Sequence, residues 1–278
     1  MVQQEKGGGK VTVAVAQLCS TPDVDANLSV CRSLVDEAAG RGADWVMFPE
    51  NAPFLGPERE KFAVAEGLDG PVVGAFVAMA RERSVGILLG STVEVSQHPG
   101  MTRNTSVLID ASGQVSAVYR KVHLFDVELP GGQTLFESET VEPGDALVCA
   151  PLGGLTLGMT VCYDLRFAEM YRKLAQAGAQ VVCVPSAFTE RTGRDHWEVL
   201  LRARAIENQC YVVAPNQWGH HCPGRDSYGR SMIIDPWGTV VAQVPDGVGV
   251  ALAVLDGEKV AQVRRRMPCM SHARFLES

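Results

Sequence analysis

Long apolar runs are missing from this chain. None approaches the roughly 20 residues that a helix needs to span a bilayer, so a membrane-embedded protein is not expected. The opening MVQQEKGGGK lacks the apolar core of a secretory signal and the arginines of a mitochondrial presequence. Residues 1–9 therefore read as a flexible tail, and the compartment as the cytoplasm, with an organellar isoform left open. No Cys-x-x-Cys pair occurs among the eight cysteines, and most lie in apolar stretches such as QVVCVPS and NQCYVVA. In a reducing compartment they read as small buried apolar residues rather than a disulfide framework. Positive charge is also short: 25 Lys and Arg against 32 Asp and Glu leave a net charge of -7. That excludes a general attraction to nucleic acid or to an anionic membrane. The single dense basic run, Arg264–Arg266, reads as a solvated helix face. His220-His221-Cys222 sits in a Gly/Pro loop without a second ligand pair, so neither a metal nor a cofactor is expected.

What is present is an ordinary globular composition, 46% hydrophobic and 21% charged, in 278 residues. Such a chain can bury a sizeable core, and residues 10–278 read as one domain. It also repeats itself. RGADWVMFPE (41–50) matches AGAQVVCVPS (177–186), each after a helical stretch that itself follows a strand, KVTVAVAQL (10–18) or GLTLGMTVC (154–162). Downstream, SVLIDASGQVSAVY (106–119) resembles SMIIDPWGTVVAQV (231–244), two hairpins with Asp-x-x-Gly at the turn. AVAEGLDGPVVGAFVAMARERS (63–84) and DHWEVLLRARAIEN (195–208) read as helices in the same slot of each half. Strand, helix, strand, helix, strand, hairpin, taken twice, argues an α/β protein with two similar sheets, each covered by helices on one face. Packed face to face they make a four-layer α-β-β-α sandwich with an internal pseudo-two-fold, which buries both faces of strands as apolar as VVCVP and GILLGSTV. Equivalent strand ends then meet at one rim.

Three residues stand at such ends. Glu50 closes DWVMFPE, where a carboxylate is costly unless it is paired or used; the alternative is an exposed strand-end glutamate. Lys121 closes VSAVYRK, and with Tyr119 inward it shares that face; the alternative is an edge lysine that guards against aggregation. Cys162 ends GLTLGMTVC just before a helix. A strand-to-helix turn exposes its tip and aims N–H groups there, favouring a thiolate and an oxyanion. The alternative is a structural cysteine like the other seven. A papain-like pairing with His123 or His196 is the chemical competitor, but neither histidine has the asparagine or glycine-rich context of a protease, and His196 reads as a helix-start residue near the pocket.

Taken together, FPE (48–50), YRKVHLFD (119–126) and VCYDLRF resemble, in order and spacing, the signature segments of the nitrilase (carbon–nitrogen hydrolase) superfamily. The resemblance runs from about residue 10 to 275, and the four-layer sandwich is that superfamily's fold. It implies Glu50 as general base, Lys121 as oxyanion stabiliser and Cys162 as nucleophile. A second glutamate is implied after the lysine, with Glu137 in FESETVEPGD the aligned choice and Glu128 the fallback. Lys121 and the backbone N–H of Tyr163 then hold the oxyanion, and the reaction runs through a thioester with release of ammonia.

CYDLRF and PSAFTERTGRDHWEVLLRARAIENQCYVVAP most resemble the Nit branch, amidases of small dicarboxylic monoamides that include deaminated glutathione amidase and ω-amidase. A carboxylate-bearing amide calls for a guanidinium, which Arg166 can offer unless it is tied to Asp164 or Glu169. The resemblance adds Phe188 and Thr192 as binding residues. QWGHHCPGRDSYGRSM departs from the branch and leaves the pocket rim, hence the exact amide, open. The deaminated glutathione side of the branch is the expected activity. Its alternatives are an ω-amidase acting on α-ketoglutaramate or α-ketosuccinamate, and a non-catalytic regulatory binding protein of the same fold. A homodimer is implied, with the helix after Cys162 and MPCMSHARF (267–275) at the two-fold.

Overall fold

The computed structural model describes residues 9–128 and 134–274, so the tail expected over residues 1–9 lies, apart from Gly9, outside the described residues. The first half runs β1 (Lys10–Leu18), α1 (Val24–Gly40), β2 (Trp45–Met47), α2 (Lys61–Val64), α3 (Pro71–Arg83), β3 (Gly86–Val95), β4 (Thr102–Ile109) and β5 (Val115–Arg120). A small hairpin, β6 (Asp126–Glu128) and β7 (Thr134–Phe136), leads to β8 (Val148–Leu152). The second half repeats the plan with β9 (Leu155–Met159), α4 (Ala168–Gln176), β10 (Val181–Cys183), α5 (Glu190–Asn208) and β11 (Tyr211–Ala214). Then come β12 (Asn216–Cys222), β13 (Arg225–Tyr228), β14 (Met232–Ile234), β15 (Val240–Gln243), β16 (Gly249–Asp256), α6 (Gly257–Arg266) and α7 (Cys269–His272).

Two sheets result. The first has the order β13-β12-β1-β2-β3-β4-β5, with β16 also paired to β1, and the second has the order β15-β14-β11-β10-β9-β8. In each, three parallel strands sit side by side and a hairpin continues the sheet, as the duplication predicts. Side-chain alternation along β1 shows the layering. Val11, Val13 and Val15 join a core with Leu157, Met159 and Val161 of the other sheet. Ala14, Ala16 and Leu18 instead pack under α1 and α3, with Cys31, Leu34, Val35 and Phe76. One face of each sheet meets helices and the other meets its counterpart, which is the α-β-β-α sandwich.

Local chemistry sets the ends of the elements. Asp23 caps α1 by accepting from the Ala26 N–H at 3.0 Å. The helix expected from residue 63 is instead split: Gly67 and Gly70 break it, Glu66 accepts the Val72 N–H at 2.6 Å, and α3 starts at Pro71, which suits the first helical position. Gly90 has a stricter reason. A Cβ there would lie 2.0 Å from the Phe48 carbonyl oxygen, so β3 can pass the Phe48–Glu50 turn only as glycine. The eight cysteines are unpaired; five are buried as expected, while Cys149 and Cys269 are exposed. No helix among the described residues is long and apolar enough to cross a membrane.

The repeat does not announce β12 and β13. By chain position this hairpin belongs to the second half, yet β12 pairs in parallel with the end of β1 in the first sheet. It ties the two sheets together at the rim where the strand ends converge.

Candidate active site

Strand β2 ends at Met47, and the chain turns through Pro49 to bury Glu50, only 3% exposed. The carboxylate is held from three directions. Its Oε1 accepts from Lys121 Nζ at 2.9 Å and Asn104 Nδ2 at 2.8 Å, and its Oε2 accepts from the Ala187 N–H at 2.9 Å. The last bond crosses to the second half. The alternative of an exposed strand-end glutamate is thus excluded.

Lys121 follows β5 directly and is 2% exposed, which rules out an edge lysine in water. Its Nζ also donates to Glu137 Oε2 at 2.8 Å, so one ammonium bridges two carboxylates. Burial disfavours its charge, but Glu137 and Glu50 outweigh burial and hold the lysine protonated well above the ordinary range. The same attraction outweighs burial at Glu137 and keeps its pKa low, with help from the Phe125 N–H at 2.7 Å and Asn104 Nδ2 at 3.1 Å. Glu137 opens a single 3-10 turn, Glu137–Glu139, that aims it inward. Glu128, the fallback, is exposed on β6 and contacts none of these groups.

Cys162 does not end a strand. Strand β9 stops at Met159, and Cys162 opens a 3-10 turn, Cys162–Arg166, with φ at +49°, uncommon for a residue with a side chain. Strain of that kind persists only where the surroundings over-determine it. Here the Cys162 N–H donates to Pro185 O at 2.8 Å, and buried Asp164 takes the Val161 N–H at 2.8 Å. Asp164 also takes the Tyr119 hydroxyl at 2.7 Å and faces His123 Nδ1 at 2.8 Å. One carboxylate therefore binds the cysteine turn to the segment on either side of Lys121. The thiol lies close enough to Glu50 and Lys121 for both charges to act on it. Burial, and then the Glu50 charge, push the Cys162 pKa up, against the pull of Lys121. Both effects favour the thiol over the thiolate expected at a strand-to-helix turn.

A cavity of about 330 Å³ opens over these residues, and Tyr163, Arg166, Phe188 and Thr192 line it. Arg166 has no carboxylate partner among the described residues. Its guanidinium lies 5.4 Å from the Phe188 ring centre and 6.0 Å from that of Tyr163. The considered ties to Asp164 and Glu169 are absent among the described residues. Thr192 Oγ1 is 2.7 Å from Thr189 Oγ1. His196 is not at a helix start: it is exposed, in the second turn of α5, with Nδ1 3.4 Å from Arg166. His123 is spoken for by Asp164 and stacks on Phe167 at 3.7 Å. In the 220–222 run, His221 meets Ser20 O and Ser227 Oγ, both at 2.8 Å, and His220 meets Asp226.

Two members of the constellation escaped sequence reasoning. Asn104 clamps both glutamates from β4; it stands among the polar residues that open TRNTSVLI, and nothing in the sequence sets it apart from them. Asp164 was considered only as a partner for Arg166.

Comparison with known proteins gives a consistent picture. The family model described as "Carbon-nitrogen hydrolase" matches residues 12–265. The chain is 45% identical to human deaminated glutathione amidase over 94% of its own length and 82% of that protein's. It is 43% identical to deaminated glutathione amidase of Synechocystis sp. strain PCC 6803 / GT-S, covering 95% and 98% respectively. Among solved structures, the C. elegans NitFhit protein superposes with a TM-score of 0.89 at 37% identity, over 97% of this chain and 66% of that longer one. An amidase variant from Nesterenkonia sp. AN1 superposes at 0.78 and 26% identity, covering 93% and 98%. Its active-site cysteine carries the product of Michael addition of acrylamide.

Proposed function

The chain belongs to the carbon-nitrogen hydrolase family and is an amide-hydrolysing enzyme, and from that premise we propose a cysteine amidase for small carboxylate-bearing amides, with deaminated glutathione as the substrate. Residues 10–278 act as one hydrolase domain in this reading. The observation that carries it is one buried lysine bridging Glu50 and Glu137 in a cavity that Cys162 and Arg166 also line.

The chemistry follows from the protonation pattern. With burial favouring the Cys162 thiol, Glu50 takes its proton as the sulfur attacks the amide carbon. Charge developing on the carbonyl oxygen meets Lys121 and the N–H of Tyr163, which lies in the first turn of a helix where N–H groups have no intrahelical acceptor. Glu50 then hands the proton to the leaving nitrogen, the C–N bond breaks and a thioester remains. Water attacks the thioester, Glu50 accepts its proton, and the proton passes to the sulfur as the C–S bond breaks. Glu137 keeps Lys121 charged and in place. Arg166 pairs with the carboxylate of the acyl fragment, while Phe188 and Thr192 shape the pocket around it.

The leaving group is ammonia for a primary amide and a peptide amine for deaminated glutathione, so the test follows both. Purified protein should free the amine fragment from deaminated glutathione faster than it frees ammonia from α-ketoglutaramate. Cys162→Ala should lower both rates at least about a thousandfold with an unchanged circular dichroism spectrum. A preference for α-ketoglutaramate means an ω-amidase. A folded wild type that cleaves no amide leaves the regulatory binding protein, and full activity in Cys162→Ala overturns the mechanism. We also read the chain as a cytosolic homodimer. The 48% exposed Met267, ahead of the exposed residues of α7, supports an interface there, and light scattering should give twice the chain mass.

A further inference from the structure

The cavity has a second charged wall that the mechanism above leaves unused. Lys61, on the single turn α2, is buried, and its Nζ donates to Glu58 Oε2 at 2.8 Å and to Thr140 Oγ1. Arg225, at the start of β13, reaches the other oxygen of the same carboxylate, with Nη1 2.7 Å from Glu58 Oε1. Two cations therefore share one carboxylate. Asp226, beside them, is turned to His220 at 2.8 Å, and Arg103 is already matched by Glu142. Burial works against charge on Glu58, yet Arg225 and Lys61 outweigh it and keep its pKa low. Lys61, Arg225 and Glu58 together carry one positive charge in excess, with Asp226 beside them, and they face the cavity that holds Cys162.

The wall is also built in advance. The β12–β13 hairpin that presents Arg225 is pinned close to its turn by His221, bonded to Ser20 O and Ser227 Oγ, and along β13 by a bridge between Thr189 and Ser227. Arg166 rests on Tyr163 and Phe188, whereas Arg225 is tied to Glu58. A cavity of about 330 Å³ has more room than a five-carbon keto-amide fills.

Resting on the amidase reading, we propose that Glu58, Lys61 and Arg225 form a subsite for the amine side of the substrate. Arg225 pairs there with a carboxylate at the far end of the leaving fragment, as a peptide supplies. The hairpin that departs from the Nit pattern is thus where the enzyme distinguishes a peptide-bearing amide from a primary amide.

The test compares kcat/KM on deaminated glutathione and on α-ketoglutaramate, whose leaving group is ammonia. Arg225→Met should lower the value for deaminated glutathione at least tenfold more than that for α-ketoglutaramate, mainly through KM, and Arg225→Lys should recover part of the difference. Should the variant misfold, the wild type alone decides the matter: capping the terminal carboxylate of deaminated glutathione as its amide should weaken kcat/KM by a similar factor. Equal losses on both substrates, or indifference to the cap, overturn the subsite. A wild type that cleaves α-ketoglutaramate but not deaminated glutathione overturns it too, whereas one that cleaves neither removes the amidase reading beneath it.

Discussion

The two halves of this molecule share a plan and divide the chemistry. Val13, Trp45 and Gly86 lie abreast in the first sheet as Leu157, Val181 and Tyr211 do in the second. Counting along from that register, Glu50 corresponds to Ser186 and Cys162 to Leu18. The hairpins, with Ile109 opposite Val115 and Ile234 opposite Val240, set Lys121 against Asp246. At each place one half holds a candidate catalytic group and the other an inert one. Ser186 is buried with its hydroxyl on Val184 O at 3.1 Å, Leu18 continues β1 where Cys162 turns, and Asp246 is 66% exposed in an ion pair with Arg230. A repeated scaffold supplies positions in pairs, and burial and partners decide which member of each pair works.

The sharpest way to break the asymmetry is Lys121→Met. It leaves Glu50 and Glu137 buried against each other without their shared cation, which should cost roughly 3–5 kcal/mol in denaturant unfolding. Loss of an oxyanion donor should lower kcat about a hundred- to a thousandfold as well.

The hairpin that crosses between the halves offers a pH test. Burial lowers the His221 pKa from 6.5 to about 4. Between those values the unfolded chain binds the proton more readily than the folded one, so stability rises with pH. The contribution is therefore intact above about 6.5 and lost as pH falls through about 4, a swing of roughly 3 kcal/mol. His221→Gln should remove that swing from the difference between urea unfolding curves at pH 4.5 and 7.5.

A smaller effect comes from Gly90, whose counterpart is Pro215. Gly90→Ala forces the Phe48 carbonyl away and should destabilise the fold by about 1–3 kcal/mol. Activity should fall more than stability, because the displaced turn carries Glu50. Least of all, Asp246→Asn, at the position equivalent to Lys121, should change the melting free energy by less than about 0.5 kcal/mol.

The duplicated strands and hairpins were legible because both sheet faces are covered, so apolar runs and Asp-x-x-Gly turns repeat openly. Glu50, Lys121 and Cys162 were legible as odd residues at the ends of those runs. The choice between Glu137 and Glu128 was not, since it depends on one 3-10 turn after a hairpin, and no periodicity encodes that. Asp164 shows in the sequence only as a candidate ion-pair partner of Arg166, because its role needs Tyr119 and His123, which lie more than forty positions away in sequence. The β12–β13 excursion was hidden by its length: seven and four residues inserted between β11 and β14 look like a loop until β1 offers them an edge.

The bond from the Ala187 N–H to Glu50 has a practical corollary. The base sits at position 50 and the thiol at 162, and they meet only while the two sheets are docked. A slight parting of the layers, too small to melt either sheet, would silence the enzyme. Turnover should therefore fade before circular dichroism does on heating, which makes catalysis the more sensitive thermometer of this fold.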